Sequence, residues 1–499
     1  MSAHTPRAVE EDDIQGLVRF GYRKLTQASF LLLRVRNAAS ARQWLANCPV
    51  ASAQEQSPPP RQVLHVAMSC PGLRALGLRE DVIQGFSREF LAGMSSDESR
   101  SRRLGDLGTN APEQWHWGGR PDAVPHVLLM LYAWPGDLAA WQQQVLDGCA
   151  SGFELMACLD TSDMDGVEPF GFVDGISQPS LDWQRRRPVR DEEVLDYSNL
   201  SCLGEYLLGY PNEYGEYTDR PLLRAELDPQ AMLPRAEESP ELADLGRNGS
   251  YLVLRQLRQD VGGFWRFVDA AAGGDPVRRE LLASAMVGRS RDGLPLVEST
   301  GTPIEGERDP INSFTYEDDP RGARCPIGAH IRRSNPRNAD LPPGGWGPIS
   351  RLIRTLGFDA QALALDHVSS TRFHRLLRRG REYGEGLSIE QALAGESGSG
   401  RGTGLHFICL GASIARQFEF VQGAWIAGTH FGGLHGESDP LLGNRLAGSD
   451  GAPADGFSIP ADSGCDLRLA GLPQFVRVVG GAYFFLPGLR ALRFISKEP

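Results

Sequence analysis

Short apolar runs recur along this chain in a fixed order, strand, helix, strand and then strand, helix, strand, and the order occurs twice. In the first half QASFLLLRV reads as a strand, AASARQWLANCP as a helix closed by Pro49, and QVLHVAMS as a strand. VPHVLLMLYAW, GDLAAWQQQVLDG and FELMACLD repeat the pattern. In the second half NGSYLVLRQLRQDVGGFWRFV is a strand running into a helix, GLHFICLGASIARQFEFVQGAW is another, and FVRVVGGAYFFL supplies one or two closing strands. A strand with one apolar face must bury that face against another layer, so each half needs its helices or the other half to cover it.

This order is the split βαβ, or ferredoxin-like, arrangement. The expected fold is α+β: two ferredoxin-like domains with antiparallel sheets facing each other. The chain divides near Leu223–Asn248, where PRAEESPEL is charged and holds prolines, which places the domains at 12–225 and 245–499. Glycine and proline are abundant, at 58 and 34 of 499 residues, so long loops must join the elements, and such loops usually carry function.

Composition excludes several classes. A net charge of −12 opposes general nucleic-acid binding, which needs a basic face. No apolar run is long enough for a membrane span. The polar, acidic start MSAHTPRAVEEDD has no apolar segment of a secretion signal. The eight cysteines are scattered singly without a CxxC, which argues against structural zinc and for a reducing compartment, so the expected location is the cytoplasm. No HxH, HExxH or paired-carboxylate spacing supports a metal hydrolase.

Four loop segments hold residues suited to chemistry. EPFGFVDGISQP follows a strand and sets Asp174 between Gly171 and Gly175, where backbone can approach a flat ligand closely. As a bare turn it would be an ordinary Asp-Gly β-turn. CPIGAHIRRSNPR combines His330 with Arg332, Arg333 and Arg337; haem needs an imidazole for iron and cations for two propionates. Without a ligand these arginines would be a solvated basic face. FHRLLRRGREYGEG carries Arg378 beside a glycine. FGGLHGESDPLLG offers Asp439, either as a turn or cap residue or as the acceptor for the ring N–H of a ligating histidine.

Taken together, these segments resemble the dye-decolorizing peroxidase superfamily. GFVDG matches its GxxDG motif, CPIGAHIRRSNPR resembles its proximal-histidine segment, and RLLRRGREYG resembles the segment of the distal arginine. GEYLLGYPNEYGEY, IARQFEFVQ, SDPLLG and GGAYFFLPGLRALR resemble the longer bacterial members, and the likeness runs from DIQGL to RALRFIS. The chain departs from the pattern at Glu382-Tyr383-Gly384, where a Pro-Tyr-Gly ending is usual, at Gly411 and Ser413, and in the insertion WGPISRLIRTLGFDAQALALDHVSS.

The resemblance implies a b-type haem in the C-terminal domain and peroxide-dependent oxidation of dyes and phenols. It implies His330 as the iron's proximal ligand, Asp174 as distal acid–base, Arg378 as distal arginine and Asp439 as partner of His330. Gly175, Ile176, Ser177, Arg332, Arg337 and Phe407 are the further expected haem contacts. The expected partners are hydrogen peroxide and a small-molecule or dye reductant, with no nucleic acid and no membrane; monomer and dimer both stay open. A carboxylate has an ordinary pKa of about 4, and Arg378 would keep Asp174 ionised to move a proton between the peroxide oxygens. Bulky dyes would be oxidised through an aromatic relay, with Trp425, Tyr383 and Tyr483 as candidates. A non-peroxidatic haem protein, a carrier or a deferrochelatase, needs the same pocket and is the alternative.

Overall fold

A computed structural model describes residues 8–186, 197–298, 304–307, 309–339, 370–396, 402–447, 451, 453–461 and 463–497. The elements that position the site are β1 Gln27–Val35, α1 Ala38–Ala46, β2 Gln62–Met68, β3 Val127–Ala133, α2 Leu138–Cys149, β4 Phe153–Asp160, β5 Ser250–Gln259, α3 Val261–Ala272, α4 Pro276–Val287, α5 His330–Ser334, β6 Leu377–Arg378, β7 Arg381–Tyr383, β8 Thr403–Gly411, β9 Val476–Leu486 and α6 Leu489–Lys497.

The strands form two antiparallel sets. The first runs β4-β1-β3-β2 and the second β6-β8-β5-β9, with β7 also on β8. In both sets the strands lie in the order fourth, first, third, second, as a ferredoxin-like unit requires. The closing strand is one element, not two, with a register shift between Val478 and Gly480. The sets also meet at their edges through a single pair, Phe485 opposite Met68.

Local chemistry accounts for the helices. Asn37 caps α1 by accepting the Ser40 N–H, and Asp260 caps α3 by accepting the Gly263 N–H. Gly273, with φ 68°, ends α3 in a left-handed turn that a side chain would resist. GASIARQFEFVQGAW does continue as helix, but through π-type turns at Ala415–Glu419 and Val421–Ile426, a departure common beside functional sites.

The expected connector near Leu223–Asn248 is packed against its neighbours. Glu237 takes both guanidinium nitrogens of Arg185, at 2.6 and 2.9 Å, while Arg220 binds Glu238 and, at 2.6 Å, buried Asp244. The last helix, α6, packs on α1 of the first half, so the two halves interlock at the chain's end. The insertion Trp346–Ser370, all but its final residue, lies outside the described residues.

Candidate active site

One cavity of about 260 Å³ draws on both halves of the chain. Asp174 reaches it from the loop after β4, His330 from the first turn of α5, and Arg378 from β6. Of the other residues expected from the sequence, Ile176, Ser177, Arg337 and Phe407 line it, and Asp439 stands behind His330.

His330 Nδ1 lies 2.9 Å from Asp439 Oδ2. The His330 side chain is 26% exposed and that of Asp439 0%, so the ring faces the cavity and its partner is sealed behind it. Asp439 Oδ1 accepts the N–H groups of Leu441 and Leu442 at 2.9 and 2.8 Å. The residue is thus both the turn-former and the histidine partner; the two readings of SDPLLG are compatible because a carboxylate has two oxygens. Burial resists the His330 charge, but the Asp439 carboxylate outweighs it and raises the imidazole's pKa. Burial likewise resists the Asp439 charge, and His330, Arg333 and the Leu442 N–H together lower its pKa.

Arg378 Nη1 donates to Asp174 Oδ1 at 2.8 Å, and the Gly175 N–H donates to the same oxygen at 2.6 Å. The Gln178 side chain holds Arg378 by accepting its backbone N–H at 3.0 Å. Burial alone would raise the Asp174 pKa; the Arg378 charge, the Gly175 N–H and the charge of His330 bring it below the usual carboxylate value. Asp174 is therefore ionised at neutral pH and keeps Oδ2 for another donor.

Two expected contacts fall elsewhere. Arg332 is turned away from the cavity: its guanidinium binds the Asp319 carboxylate at 3.0 Å, the Asp319 carbonyl at 2.8 Å and the Cys325 carbonyl at 2.6 Å, over the Tyr316 ring. A five-residue helix that aims His330 one way aims Arg332 another, since two steps along a helix turn the side chain by more than half a circle. Gly175 does not line the cavity either. It lines an outer vestibule, and its carbonyl accepts from Arg23 Nη2 at 2.6 Å.

Several lining residues were not singled out in the sequence. Arg289 and Arg375 join Arg337 on the cavity wall. Arg289 donates to the Gly293 carbonyl and the Asn312 side chain, both neutral, and burial followed by the nearby Arg337 charge lowers its pKa to about 10. Glu307, 3.9 Å from Arg337, offsets only part of the charge of these three arginines, and the remainder favours an anionic ligand. Arg375 Nε and Asn335 Oδ1 are buried without a hydrogen-bond partner among the described residues. Arg375 stands three residues before Arg378, the one signal that could have marked it. Elsewhere the wall carries the buried pair Arg255–Asp106 and Glu168.

A second cavity of about 1330 Å³ adjoins the first and shares Val173, Asp174, Ile176 and Pro179 with it. Its walls include Phe20, Tyr22, Trp134 and Trp183. Of the relay candidates Tyr383 and Tyr483 are buried, the first donating to the Leu257 carbonyl and the second to Glu419 at 2.9 Å, while Trp425 is half-buried with its ring packed on His374 and Phe420.

This geometry was compared with known proteins. No family model matches the chain. Among curated proteins, "Dye-decolorizing peroxidase msp1" of Mycetinis scorodonius is 26% identical over 99% of this chain and 89% of its own length. "Multifunctional dye peroxidase DyP2" of Amycolatopsis is 28% identical over 77% of this chain and 74% of its own. Among solved structures, a fungal DyP-type peroxidase from Auricularia auricula-judae superposes with a TM-score of 0.72 at 24% identity, covering 98% of this chain and 100% of the other. The fold is that of the dye-decolorizing peroxidases. The expected likeness to longer bacterial members is met chiefly by fungal dye-decolorizing peroxidases. A dye-decolorizing peroxidase of the same fold, in complex with 2,6-dimethoxyphenol, gives a TM-score of 0.71 at 23% identity.

Proposed function

We propose that the chain is a haem peroxidase that reduces hydrogen peroxide and oxidises dyes, phenols or other bulky aromatic reductants. The observation that carries this is the convergence on one cavity of a carboxylate-backed imidazole, His330–Asp439, and an ion pair, Asp174–Arg378. The peroxidase relatives along nearly the whole chain support it.

The donor set fits a haem b. His330 offers Nε2 to iron while Asp439 holds Nδ1–H, which fixes the tautomer and aims the ring. Arg289, Arg337 and Arg375 offer the cations two propionates need, and apolar side chains such as Phe170, Phe407 and Phe418 line the cavity. When bound, the haem supplies the iron at which peroxide is reduced and stores the oxidising equivalents that the reductant later discharges.

The chain's own residues handle the protons. Asp174, ionised by Arg378, would take the proton from one peroxide oxygen and return it to the other. Arg378 stabilises the negative charge that grows on that leaving oxygen. Peroxide, two protons and two electrons become two waters, the electrons coming from the reductant. Peroxide reaches Asp174 by way of the vestibule, through the neck formed by Val173, Ile176 and Pro179. We assign residues 12–225 as the domain that brings Asp174 and 245–499 as the one that brings His330, Asp439 and Arg378. All eight cysteines are free, which supports a cytoplasmic setting. No helix among the described residues is long and apolar enough to cross a membrane.

The test is an absorption spectrum of the haem-loaded chain before and after one equivalent of hydrogen peroxide, then with 2,6-dimethoxyphenol added. A rapid change in the Soret band that the phenol reverses is expected. A haem-bearing chain whose spectrum ignores peroxide would be a carrier or deferrochelatase and would refute the peroxidase reading.

A further inference from the structure

The turn that presents Asp174 is built around a carboxylate with no part in the mechanism above. The Asp174 N–H donates to the Gly166 carbonyl at 3.1 Å, the Glu168 N–H to the Phe172 carbonyl at 2.8 Å, and the Gly171 N–H to the Glu168 carbonyl at 2.8 Å. Gly171 has φ 96°, a conformation that a side chain disfavours, which lets the chain reverse here. The Glu168 side chain fills the inside of the reversal. Its Oε2 accepts the Phe170 N–H at 3.0 Å and Gln259 Nε2 at 2.8 Å, and its Oε1 accepts the Phe172 N–H at 3.1 Å. Gln259 belongs to β5, so one carboxylate both shapes the turn and ties it to the sheet.

Three donors on two oxygens suit an ionised carboxylate, which accepts and never donates. A proton on Oε2 would need an acceptor of its own. Gln259 Oε1 is buried and has no hydrogen-bond partner among the described residues. A half-turn of the Gln259 amide supplies that acceptor, and the Phe170 N–H then faces a hydroxyl oxygen, a much weaker acceptor than a carboxylate. Glu168 therefore has two arrangements, ionised with the turn fully bonded and protonated with its Phe170 end loosened. Burial first, and the Asp174 charge last, push its carboxyl up to about 7 against the pull of its three hydrogen bonds, so both arrangements are populated near neutrality. Among the described residues the charged groups around the turn are Asp174 itself, Glu382 of β7, whose charge repels that of Asp174, Arg378 of β6, His330 of α5, the Arg255–Asp106 pair on the cavity wall, and Arg291, whose Nε donates to the Gly171 carbonyl at 3.2 Å.

The geometry points to Glu168 as the positioning residue of the catalytic turn: its ionised carboxylate holds Asp174 in register with Arg378, and a proton on it slackens that hold. The kinetic consequence rests on the peroxidase reading, whereas the structure of the turn does not.

Glu168→Gln keeps the size, offers one acceptor and cannot ionise, so it copies the protonated arrangement at every pH. In the haem-free chain, hydrogen–deuterium exchange over residues 166–176 at about pH 8 is expected to be roughly tenfold faster in this variant than in wild type, as for the loss of one buried hydrogen bond. In the haem-loaded chain, the wild-type rate constant with hydrogen peroxide should rise several-fold through about pH 7, while the variant stays at the low-pH level throughout. Equal exchange in the two proteins, or a variant that keeps the wild-type inflection, overturns the proposal. Should Glu168→Gln fail to fold, the wild type decides by itself: exchange over residues 166–176 of the haem-free chain, corrected for the intrinsic pH dependence of amide exchange, must slow as pH rises through about 7, and a protection independent of pH there is equally fatal. A haem-loaded wild type inert to peroxide would sink the peroxidase reading, and exchange in the haem-free chain would still decide the role of Glu168.

Discussion

Replacing Asp439 by asparagine separates its two duties. Oδ1 accepts the Leu441 and Leu442 N–H groups, and an asparagine oxygen can keep both, so the turn survives. Oδ2, which faces His330 Nδ1 at 2.9 Å, becomes an amide nitrogen. Two N–H groups then meet, and the imidazole must either shift its proton to Nε2, the atom needed for iron, or swing out of line. A hydrogen bond to a charged group is worth about 1.5–3 kcal/mol, and each 1.4 kcal/mol is about a factor of ten, so haem affinity should fall roughly tenfold to a hundredfold. This is also the range seen when the outer partner of a metal-bound histidine is removed. Buried Arg333 and half-buried Arg445 lose the carboxylate that offsets them, so the haem-free variant should also melt at a lower temperature. The assay is titration of folded, haem-free protein with haemin, followed in the Soret region. An affinity within twofold of wild type, in a variant whose turn is intact, would show that Asp439 does not orient His330 and would remove the reason to assign that histidine to iron.

Other substitutions test the remaining parts. His330→Ala should abolish tight haem binding while the chain stays folded; a normal Soret band with full turnover would defeat the assignment. Arg378→Leu should retain haem and slow the peroxide reaction by about a hundredfold to a thousandfold, the usual cost of removing a donor to a developing oxyanion, and Asp174→Asn should slow it less; wild-type stopped-flow rates in both would refute this division of roles. Because the folded pKa of Asp174 lies below its unfolded value, its contribution is intact above about pH 4 and fades as pH falls through the folded value. In Arg378→Leu burial is left dominant, so this acid limb, distinct from the neutral inflection assigned to Glu168, should move to higher pH; an unmoved limb would mean the guanidinium does not set the carboxyl's charge. Asp106→Ala leaves Arg255 as a buried, unpaired cation and should destabilise the chain by about 3–5 kcal/mol in a denaturant titration; a loss under 1 kcal/mol would mean the pair is not desolvated as the fold shows.

The sequence by itself determined the two strand–helix units and the loops that carry the chemistry. Strand and helix periods are local properties, and a motif such as GFVDGISQP keeps its residue types wherever it is read. Tertiary structure decided everything that depends on direction. His330 and Arg332 are two residues apart, yet one faces the cavity and the other binds Asp319, because a helix rotates successive side chains about its axis. Arg289 and Arg375 look like surface cations in the sequence; folding gathers them beside Arg337 from three separate segments, which no spacing rule anticipates. Glu168 stands in the very motif that was singled out, but its part rests on Gln259, ninety-one residues away, reached only when β5 lies beside the turn. Ordering by local pattern survives in the sequence, whereas convergence of distant charges is written only in the packed chain.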